Sequence, residues 1–316
     1  MSEMKVVRFY PPGGAEKLRY ETEPVPTQLE KGQMLVKVHA VGLIWTELHW
    51  PIYQQPDGTY VSHIPGHDFS GVVTEVGPGF EDSDIRPGSE IYAFTRERKF
   101  EGAMAEYAKA DLPQAMLKPR NLSFVEAASV PLSALTAWQA LYDHASLRSG
   151  QKLLVTGAAG ATGVFAVQLG RVTGAHVIGT ASSPRSFELL QNFGVNEVVN
   201  YKESQLEEAV KDVDVVFDTV GGDVLKQCLK VVRKGGVVIN IVDYNAGELA
   251  RQQGVQGKFF IVEMHADQLA RITELIEKGV LRTVVDSVFP LDQAREAFEH
   301  GAAGHAHGKI VVSVST

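Results

Sequence analysis

The chain has 316 residues, more than one ordinary hydrophobic core accommodates, so its length favours two domains. A hydrophobic fraction of 44% with 22% charged residues is typical of a globular protein. The net charge of −8 at pH 7 argues against nucleic acid or an anionic membrane as the main partner, because both select basic surfaces.

The first residues and the cysteine content favour a cytoplasmic protein. The opening stretch, Met-Ser-Glu-Met-Lys-Val-Val-Arg-Phe, has no apolar core long enough for a secretory signal. No stretch approaches the roughly 20 apolar residues that a membrane span needs. Cys228 is the only cysteine, which excludes an internal disulfide and is typical of a reducing compartment.

Residues 1–120 predict a β-rich domain. Apolar and polar side chains alternate over residues 36–40, which is typical of a strand with one buried face. Prolines and glycines recur in adjacent pairs, as in Pro65-Gly66 and Pro87-Gly88, and such pairs mark turns. Short strands with frequent turns indicate an antiparallel β domain.

From about residue 150 to residue 262, apolar runs alternate with helical patterns. Because parallel strands need crossover connections, this alternation predicts a parallel sheet of the doubly wound, dinucleotide-binding type. The predicted strands are 153–156, 176–180, 197–200, 214–218, 237–241 and 259–262.

The last fifty residues predict further helices and strands, at 267–278 (helix), 284–289 (strand), 292–300 (helix) and 310–314 (strand). The final strand has no obvious place in the parallel sheet. It could return to pair with the N-terminal β domain, which would make that domain discontinuous.

A glycine-rich turn follows the first strand of the predicted parallel sheet. It reads Ala158-x-Gly160-x-x-Gly163 and stands between a strand and a helix, where a dinucleotide fingerprint requires it. Small residues there let a pyrophosphate approach the amides of a helix N-terminus. The turn predicts dinucleotide binding, and the alternative is a turn that only joins strand to helix.

The end of the second strand indicates which nicotinamide cofactor binds. NAD-binding folds carry a carboxylate about 20 residues after the glycine turn, where it holds the ribose 2′-hydroxyl. Here no carboxylate appears before Glu188, whereas Ser182, Ser183 and Arg185 offer hydrogen bonds and positive charge to a 2′-phosphate. This pattern favours NADPH. The alternative is that the serines cap the following helix and Arg185 is solvated.

Short motifs occur in order along nearly the whole chain. They are Val38-x-Ala40-x-Gly42, Pro65-Gly66-His67-Asp68, Pro131-Leu-x-x-Leu-Thr136-Ala137 and Gly308-Lys309. Together they resemble the medium-chain dehydrogenase/reductase superfamily, and within it the zinc-free quinone oxidoreductase (ζ-crystallin-like) branch. The resemblance implies an α/β fold, with a GroES-like β-rich catalytic domain at 1–125 and 283–316. It also implies a Rossmann domain with a six-stranded, doubly wound parallel sheet at 126–282.

The same resemblance allows the zinc ligands to be compared position by position. Zinc alcohol dehydrogenases of this superfamily use a cysteine in the first loop, the histidine of a Gly-His-Glu motif and a further ligand. Here Ile44 stands at the cysteine position, and His67 is followed by Asp68 instead of glutamate. Catalytic zinc needs three protein ligands, so we predict a metal-free site. His305 and His307 could take up metal adventitiously.

Without a metal, the favoured substrates delocalise their own developing charge, as quinones and α,β-unsaturated carbonyls do. The resemblance places the loop that begins at Trp45 at the catalytic cleft. The hydroxyl of Thr46 or Tyr53 is a candidate hydrogen-bond donor there, and Trp45, Trp50 and Tyr53 could form an apolar wall. These aromatic residues could equally be interface packing. His67 is either a structural hydrogen bonder or a general acid.

The resemblance also implies contacts with the cofactor. It assigns Thr136 to the nicotinamide, the turn with Gly160, Ala161, Thr162 and Gly163 to the pyrophosphate, Tyr201 to the adenosine phosphate, and Lys309 to the cofactor from the other domain. Gly221 and Ile241 follow later strands, at the edge of the sheet where ligands bind. Asp218 could be catalytic or could cap the following turn.

We therefore predict an NADPH-dependent, zinc-independent oxidoreductase that acts on small conjugated carbonyls, with no nucleic-acid or membrane partner. One alternative is an enoyl-thioester reductase, which would need a basic cleft, and the compact basic cluster of the chain lies at residues 95–99. The other is a non-catalytic NADPH-binding protein. The apolar strand 259–262 could pair with its copy in a second subunit, so we expect a homodimer.

Overall fold

The computed structural model describes residues 2–50, 55, 57–95, 101–304 and 306–315. The chain divides into two compact units: unit 1 comprises Met1–Leu132, Met264–Lys278 and Val284–Thr316, and unit 2 comprises Ser133–Glu263 and Gly279–Thr283. This division differs from the boundaries expected above mainly at Met264–Lys278, which packs within unit 1. There the Oγ1 of Thr273 lies 2.6 Å from the hydroxyl of the buried Tyr92.

Strands and short helices follow one another along both units. The strands are β1 (Glu3–Phe9), β2 (Leu18–Pro24), β3 (Gln33–Gly42), β4 (Asp68–Val76), β5 (Glu90–Phe94), β6 (Tyr107–Asp111), β7 (Ala115–Leu117), β8 (Lys152–Val155), β9 (His176–Ala181), β10 (Glu197–Asn200), β11 (Val213–Asp218), β12 (Val232–Asn240), β13 (Gln256–Phe259), β14 (Val285–Pro290) and β15 (Lys309–Ser313). The helices are α1 (Phe124–Ala128), α2 (Pro131–Trp138), α3 (Gly163–Thr173), α4 (Pro184–Asn192), α5 (Leu206–Ala209), α6 (Asp223–Val231), α7 (Ala246–Gln252), α8 (Ala266–Glu277) and α9 (Ala294–Ala302). Among the helices of the described residues, none is both long and apolar enough to cross a membrane.

Unit 1 is built on a seven-stranded sheet in the order β14-β15-β3-β4-β5-β7, with β6 paired to β3. The predicted alternation in β3 is confirmed, because Val36 and Val38 are fully buried and Lys37 between them is exposed. β15 pairs antiparallel with β3, so that Val312 lies opposite Val41. The last strand therefore returns to the N-terminal β domain, and unit 1 is discontinuous.

Unit 2 contains a six-stranded parallel sheet in the order β10-β9-β8-β11-β12-β13. This order confirms the predicted doubly wound fold. The direction in which strands are added reverses between β8 and β11. Open α/β sheets bind ligands beyond the carboxyl ends of their strands at such a switch point.

The last strand of the parallel sheet differs from its prediction. β13 covers Gln256–Phe259, whereas the apolar run at 259–262 was predicted as the strand. A Cβ on Gly257 would lie 2.3 Å from the Cβ of Ala250, so this glycine allows β13 to pass close under α7. The prediction was wrong because the apolar run forms irregular chain after the strand, and apolar character alone does not specify a strand.

A buried ion pair joins three distant segments of unit 1. Asp68 begins β4 and is fully buried, and its Oδ2 accepts a hydrogen bond from the Nζ of Lys309 at 2.9 Å. Its Oδ1 accepts from the amide of Leu132 at 2.7 Å. Lys309, the first residue of β15, is 3% exposed. Since a buried charge needs a partner, this pair holds the C-terminal strand against β4 and the start of α2.

Replacing Asp68 with asparagine would leave the buried ammonium of Lys309 without its counter-charge. We expect the free energy of unfolding to fall by about 3–5 kcal/mol, measured by urea denaturation. The double variant Asp68→Asn/Lys309→Met removes both charges and should recover much of this loss. The matched control is Asp223→Asn, which breaks the exposed pair with Lys226 and should leave stability unchanged. Equal effects of the two single aspartate variants would contradict this role.

Candidate functional site

The glycine turn after β8 is shaped by close packing. Gly157 has a φ of +59°, and a Cβ there would lie 2.5 Å from the Oγ1 of Thr219. A Cβ on Gly163, the first residue of α3, would lie 2.2 Å from the carbonyl oxygen of Gly157. Within the described part of the chain, the amides of Ala161 and Thr162 donate to no protein group. The turn thus has the small residues and available amides that a pyrophosphate requires.

Other residues predicted to bind the cofactor also lie in unit 2. The amide of Gly160 donates to the carbonyl of Gly157 at 2.9 Å and so closes the turn. Thr136 is buried on α2. Gly221 and Ile241 follow β11 and β12, at the carboxyl edge of the sheet.

Hydroxyl groups meet at the end of β9. The Oγ of Ser182 donates to the hydroxyl of Tyr201 at 2.7 Å, so these two predicted residues are brought together. Ser183 caps α4, because its Oγ accepts a hydrogen bond from the amide of Ser186 at 3.2 Å. Arg185 is exposed in the first turn of α4. The capping alternative is therefore correct for Ser183, and it leaves the Ser182–Tyr201 pair at this edge.

The contacts of Asp218 bear on its two possible roles, which are catalysis and capping of the turn after β11. Its fully buried carboxylate accepts from the amides of Val220 and Gly221, as a turn cap does. It also accepts from the side chains of Thr156 and Asn240. Sequence reasoning missed Thr156 and Asn240. Their only signal is a polar residue at or just past the end of an apolar strand.

A buried carboxyl lies beside His67 in unit 1. Glu47 begins a short 3₁₀ helix, Glu47–His49, and is fully buried. Its Oε2 accepts from the amide of Gly66 at 3.1 Å and lies 3.5 Å from the Nε2 of His67. The Nδ1 of His67 donates to the carbonyl of Thr95 at 2.9 Å, so its Nε2 is the acceptor in the neutral ring. Glu47 was not predicted, because a single acidic residue in a loop carries no sequence signal of burial.

Burial controls the charge of these groups. It raises the pKa of Glu47 to about 8, against the opposing effects of the Gly66 amide and the charge of Lys309. The Oε1 of Glu47 has no hydrogen-bond partner among the described residues. Burial also lowers the pKa of His63 to about 4, which keeps that ring neutral near pH 7. Near pH 7 the carboxyl of Glu47 is therefore mostly protonated, at 3.5 Å from the Nε2 of His67.

Of the tryptophans in this loop, Trp45 is exposed and Trp50 packs against His67. Trp45 is 46% exposed, and Thr46 is half-buried with no capping hydrogen bond from its side chain. The ring of Trp50 stacks on His67, with the ring centroids 5.3 Å apart and 20° between the planes. Tyr53 lies outside the described residues. Of the two aromatic residues of the predicted apolar wall that the structure describes, Trp50 is therefore the one that contacts His67.

Among the residues that the structure describes, the side chains around His67 do not provide the ligand set of a catalytic zinc. Ile44, which the resemblance places at the position of a zinc ligand, has an apolar side chain, and Glu47 lies beside the histidine. Among the described residues, no group of three or more His, Cys, Asp or Glu side chains could hold a metal ion. His305 lies outside those residues, and His307 within them. Catalytic zinc requires three protein ligands, and His67 with Glu47 makes two.

The carboxyl of Glu47 should make stability depend on pH. The folded protein keeps this proton up to about pH 8, whereas the unfolded chain releases it near pH 4.5. Between these values the folded state binds more protons, so the free energy of unfolding falls as pH rises. In Glu47→Gln, which resembles the neutral acid, we expect a shallower fall between about pH 5 and about pH 8.

Urea denaturation across that range measures the effect. Glu75→Gln removes an exposed acid of β4 and should keep the slope of the wild-type protein. Parallel slopes for the three proteins would contradict a raised pKa at Glu47.

Two family models match the chain. The model described as alcohol dehydrogenase GroES-like domain matches residues 30–120, and the one described as zinc-binding dehydrogenase matches residues 193–312. The first match lies within unit 1. The second begins in unit 2 and ends in β15 of unit 1.

Curated relatives and solved structures extend these matches to nearly the whole chain. The chain is 35% identical to a probable zinc-binding oxidoreductase, mitochondrial, of Arthroderma benhamiae, over 95% of this chain and 94% of that protein. It is 30% identical to the chloroplastic NADPH-dependent alkenal/one oxidoreductase of Arabidopsis thaliana, over 98% of this chain and 79% of that protein. The quinone oxidoreductase structure from Coxiella burnetii superposes with a TM-score of 0.91 at 29% identity, over 99% of this chain and 100% of that one.

Identity of this extent, along both the discontinuous β-rich unit and the parallel sheet, requires a common fold and a common descent. The chain belongs to the medium-chain dehydrogenase/reductase superfamily, in the branch of the quinone and alkenal oxidoreductases.

Proposed function

We propose that this protein is an NADPH-dependent oxidoreductase that transfers hydride to quinones or other α,β-unsaturated carbonyls. The observation that carries the proposal is the carboxyl edge of the parallel sheet. That edge has a glycine turn with available amides and, after β9, the Ser182–Tyr201 hydroxyl pair in place of a carboxylate. The name of the Arabidopsis relative supports NADPH and an alkenal or enone substrate, and that of the Coxiella relative supports a quinone substrate.

The residues of unit 2 fit a dinucleotide that carries a 2′-phosphate. The amides of the glycine turn would bind the pyrophosphate. The hydroxyls of Ser182 and Tyr201, with the guanidinium of Arg185, would bind the 2′-phosphate, which a carboxylate at this position would repel. When bound, NADPH supplies the hydride from its nicotinamide ring. The further proposed cofactor contacts are Thr136, Gly221, Ile241 and Lys309.

The proposed substrate class rests on the side chains around His67, which, as far as the structure describes them, do not provide the ligands of a catalytic zinc. Hydride addition to an isolated carbonyl concentrates charge on one oxygen, whereas a quinone or an enone spreads that charge over its conjugated system. Reduction is completed by a proton. In unit 1, Thr46, Tyr53 and His67 are the proposed donors, and Trp45 and Trp50 the proposed apolar contacts of the acceptor.

A homodimer and a cytoplasmic location are also proposed. β13 is the edge strand of the sheet and pairs on one side with β12, and Ile261 just beyond it is about half exposed. An edge of this kind can pair with its copy. A mass of 34.4 kDa by light scattering, that of one chain, would contradict the dimer. Cys228 is the only cysteine and is buried, which supports a reducing compartment, and cell fractionation tests this location.

The function is tested by NADPH consumption with a fused-ring quinone in the presence of excess chelator. We expect turnover that the chelator does not reduce, because the residues described do not form a zinc site. Loss of turnover with the chelator, restored by zinc, would contradict the metal-free proposal. NADPH binding without turnover on any quinone or enone would favour an enoyl-thioester substrate or a non-catalytic role.

The choice of cofactor is tested at Arg185. Arg185→Glu places a negative charge where the 2′-phosphate is proposed to bind, so the Kd for NADPH should rise about 10- to 100-fold. The Kd for NADH should not rise, and fluorescence titration measures both. Arg148→Glu makes the same charge change before β8, at the opposite edge of the sheet, and should alter neither constant. Equal losses for NADPH and NADH in Arg185→Glu would refute 2′-phosphate binding by this residue.

A further inference from the structure

A buried polar cluster lies at the carboxyl edge of the parallel sheet, where the glycine turn alone does not require one. Thr156 directly follows β8, Asp218 ends β11 and Asn240 ends β12. These three strands are neighbours in the sheet, and the three side chains are all fully buried. Burying so many polar atoms is costly unless each finds a hydrogen-bond partner, so the partners of these atoms indicate which parts of the chain the cluster holds in place.

The carboxylate of Asp218 is the centre of this cluster. Its Oδ1 accepts from the Oγ1 of Thr156 at 2.5 Å and from the amide of Val220 at 3.0 Å. Its Oδ2 accepts from the Nδ2 of Asn240 at 2.8 Å, and the amide of Gly221 lies 3.2 Å from both oxygens. A carboxylate has about four acceptor sites, and these donors occupy them. Asp218 therefore holds its neighbours in place and has no site left to take part in proton transfer.

On one side, the cluster holds the chain that follows β12. The Oδ1 of Asn240 accepts from the amides of Val242 and Asp243 at 2.7 and 2.5 Å. The Oδ2 of Asp243 in turn accepts from the amide of Gly222 at 2.7 Å. A Cβ on Gly221 would lie 2.8 Å from that same oxygen, so the loops after β11 and β12 are packed against each other.

On the other side, the cluster holds the start of the glycine turn. The amide of Thr219 donates to the Oγ1 of Thr156 at 3.1 Å, and the Oγ1 of Thr219 donates to the carbonyl of Thr156 at 2.8 Å. Gly157, the next residue, has no room for a side chain because of Thr219. The loops after β8, β11 and β12 are therefore one connected assembly.

The position of this assembly indicates which part of a dinucleotide it serves. The Ser182–Tyr201 pair lies at the ends of β9 and β10, on one side of the switch point between β8 and β11. A dinucleotide lies across the switch point, with one mononucleotide on each half of the sheet. If the adenosine half with its 2′-phosphate occupies the β9 side, as proposed above, the nicotinamide half occupies the β11–β12 side.

We propose that Asp218 is a positioning residue: through Thr156 and Asn240 it holds loops 219–222 and 241–243 in the conformation that binds the nicotinamide half of the cofactor. This inference rests on the proposed NADPH-dependent function. Asparagine cannot replace Asp218 in this role. The NH₂ group of an asparagine is a donor. In the position of Oδ1 it would face the amide of Gly221 and the hydroxyl of Thr156, and in the position of Oδ2 it would face the same amide and the Nδ2 of Asn240.

The test compares two ligands by isothermal titration: NADPH, and adenosine 2′,5′-bisphosphate, which contains only the adenosine half. In Asp218→Asn we expect the Kd for NADPH to rise about tenfold or more and the Kd for the bisphosphate to change less than about twofold. A merely structural role would weaken both ligands together. The matched control is Asp214→Asn on the same strand, where Asp214 accepts from Lys152 and Arg233 at the amino edge. It should change neither constant.

If Asp218→Asn does not fold, Thr156→Val keeps the shape of the side chain and removes the Oγ1 that donates to Asp218 and accepts from the amide of Thr219, and the same pattern is expected. Equal weakening of both ligands, or an unchanged Kd for NADPH in a folded variant, would overturn the inference and leave the proposed function intact. If the wild-type protein binds the bisphosphate but not NADPH, or binds neither, the proposed function fails and this inference fails with it.

Discussion

A carboxylate taken out of water must find partners or lose its charge, and the structure of both units depends on this constraint. In unit 1, burial raises the pKa of Asp68, and this shift is opposed by the ammonium that Lys309 supplies from 241 positions further along the chain. The pair can form only when the C-terminal strand has returned to β3. The return of the C-terminal strand to β3, which makes unit 1 discontinuous, therefore also gives the buried carboxylate its counter-charge.

Three buried carboxyl groups meet the constraint in three ways. Asp68 is paired with a cation, whereas Asp218 is surrounded by neutral donors of the backbone and of Thr156 and Asn240. Glu47 has one amide donor and one oxygen without a partner among the described residues, so burial raises its pKa to about 8. The first arrangement holds the fold and the second holds loops at the edge of the sheet. In the third arrangement, the protonated carboxyl of Glu47 lies 3.5 Å from the Nε2 of His67.

The groups around His67 agree with the proposed reduction of conjugated carbonyls. The neighbours of His67 are Glu47, the stacked ring of Trp50 and the carbonyl of Thr95. Among the described residues, these groups hold the imidazole ring in place and include fewer than the three protein ligands that catalytic zinc requires. A substrate that delocalises its own charge therefore suits this site better than an isolated ketone.

Local patterns in the sequence were sufficient to predict the glycine turn, the parallel strands and the missing carboxylate after β9, because each depends on residues close together in the chain. Only the tertiary structure revealed the burial of Glu47, the Asp68–Lys309 pair and the partners of Asp218, since these join residues far apart in sequence. The position of β13 was also not predicted: the strand covers Gln256–Phe259, where Gly257 lies close to Ala250 on α7, and local apolar character does not reveal that contact. Short-range periodicity specifies the elements, and long-range packing determines which polar groups lose water and must find partners.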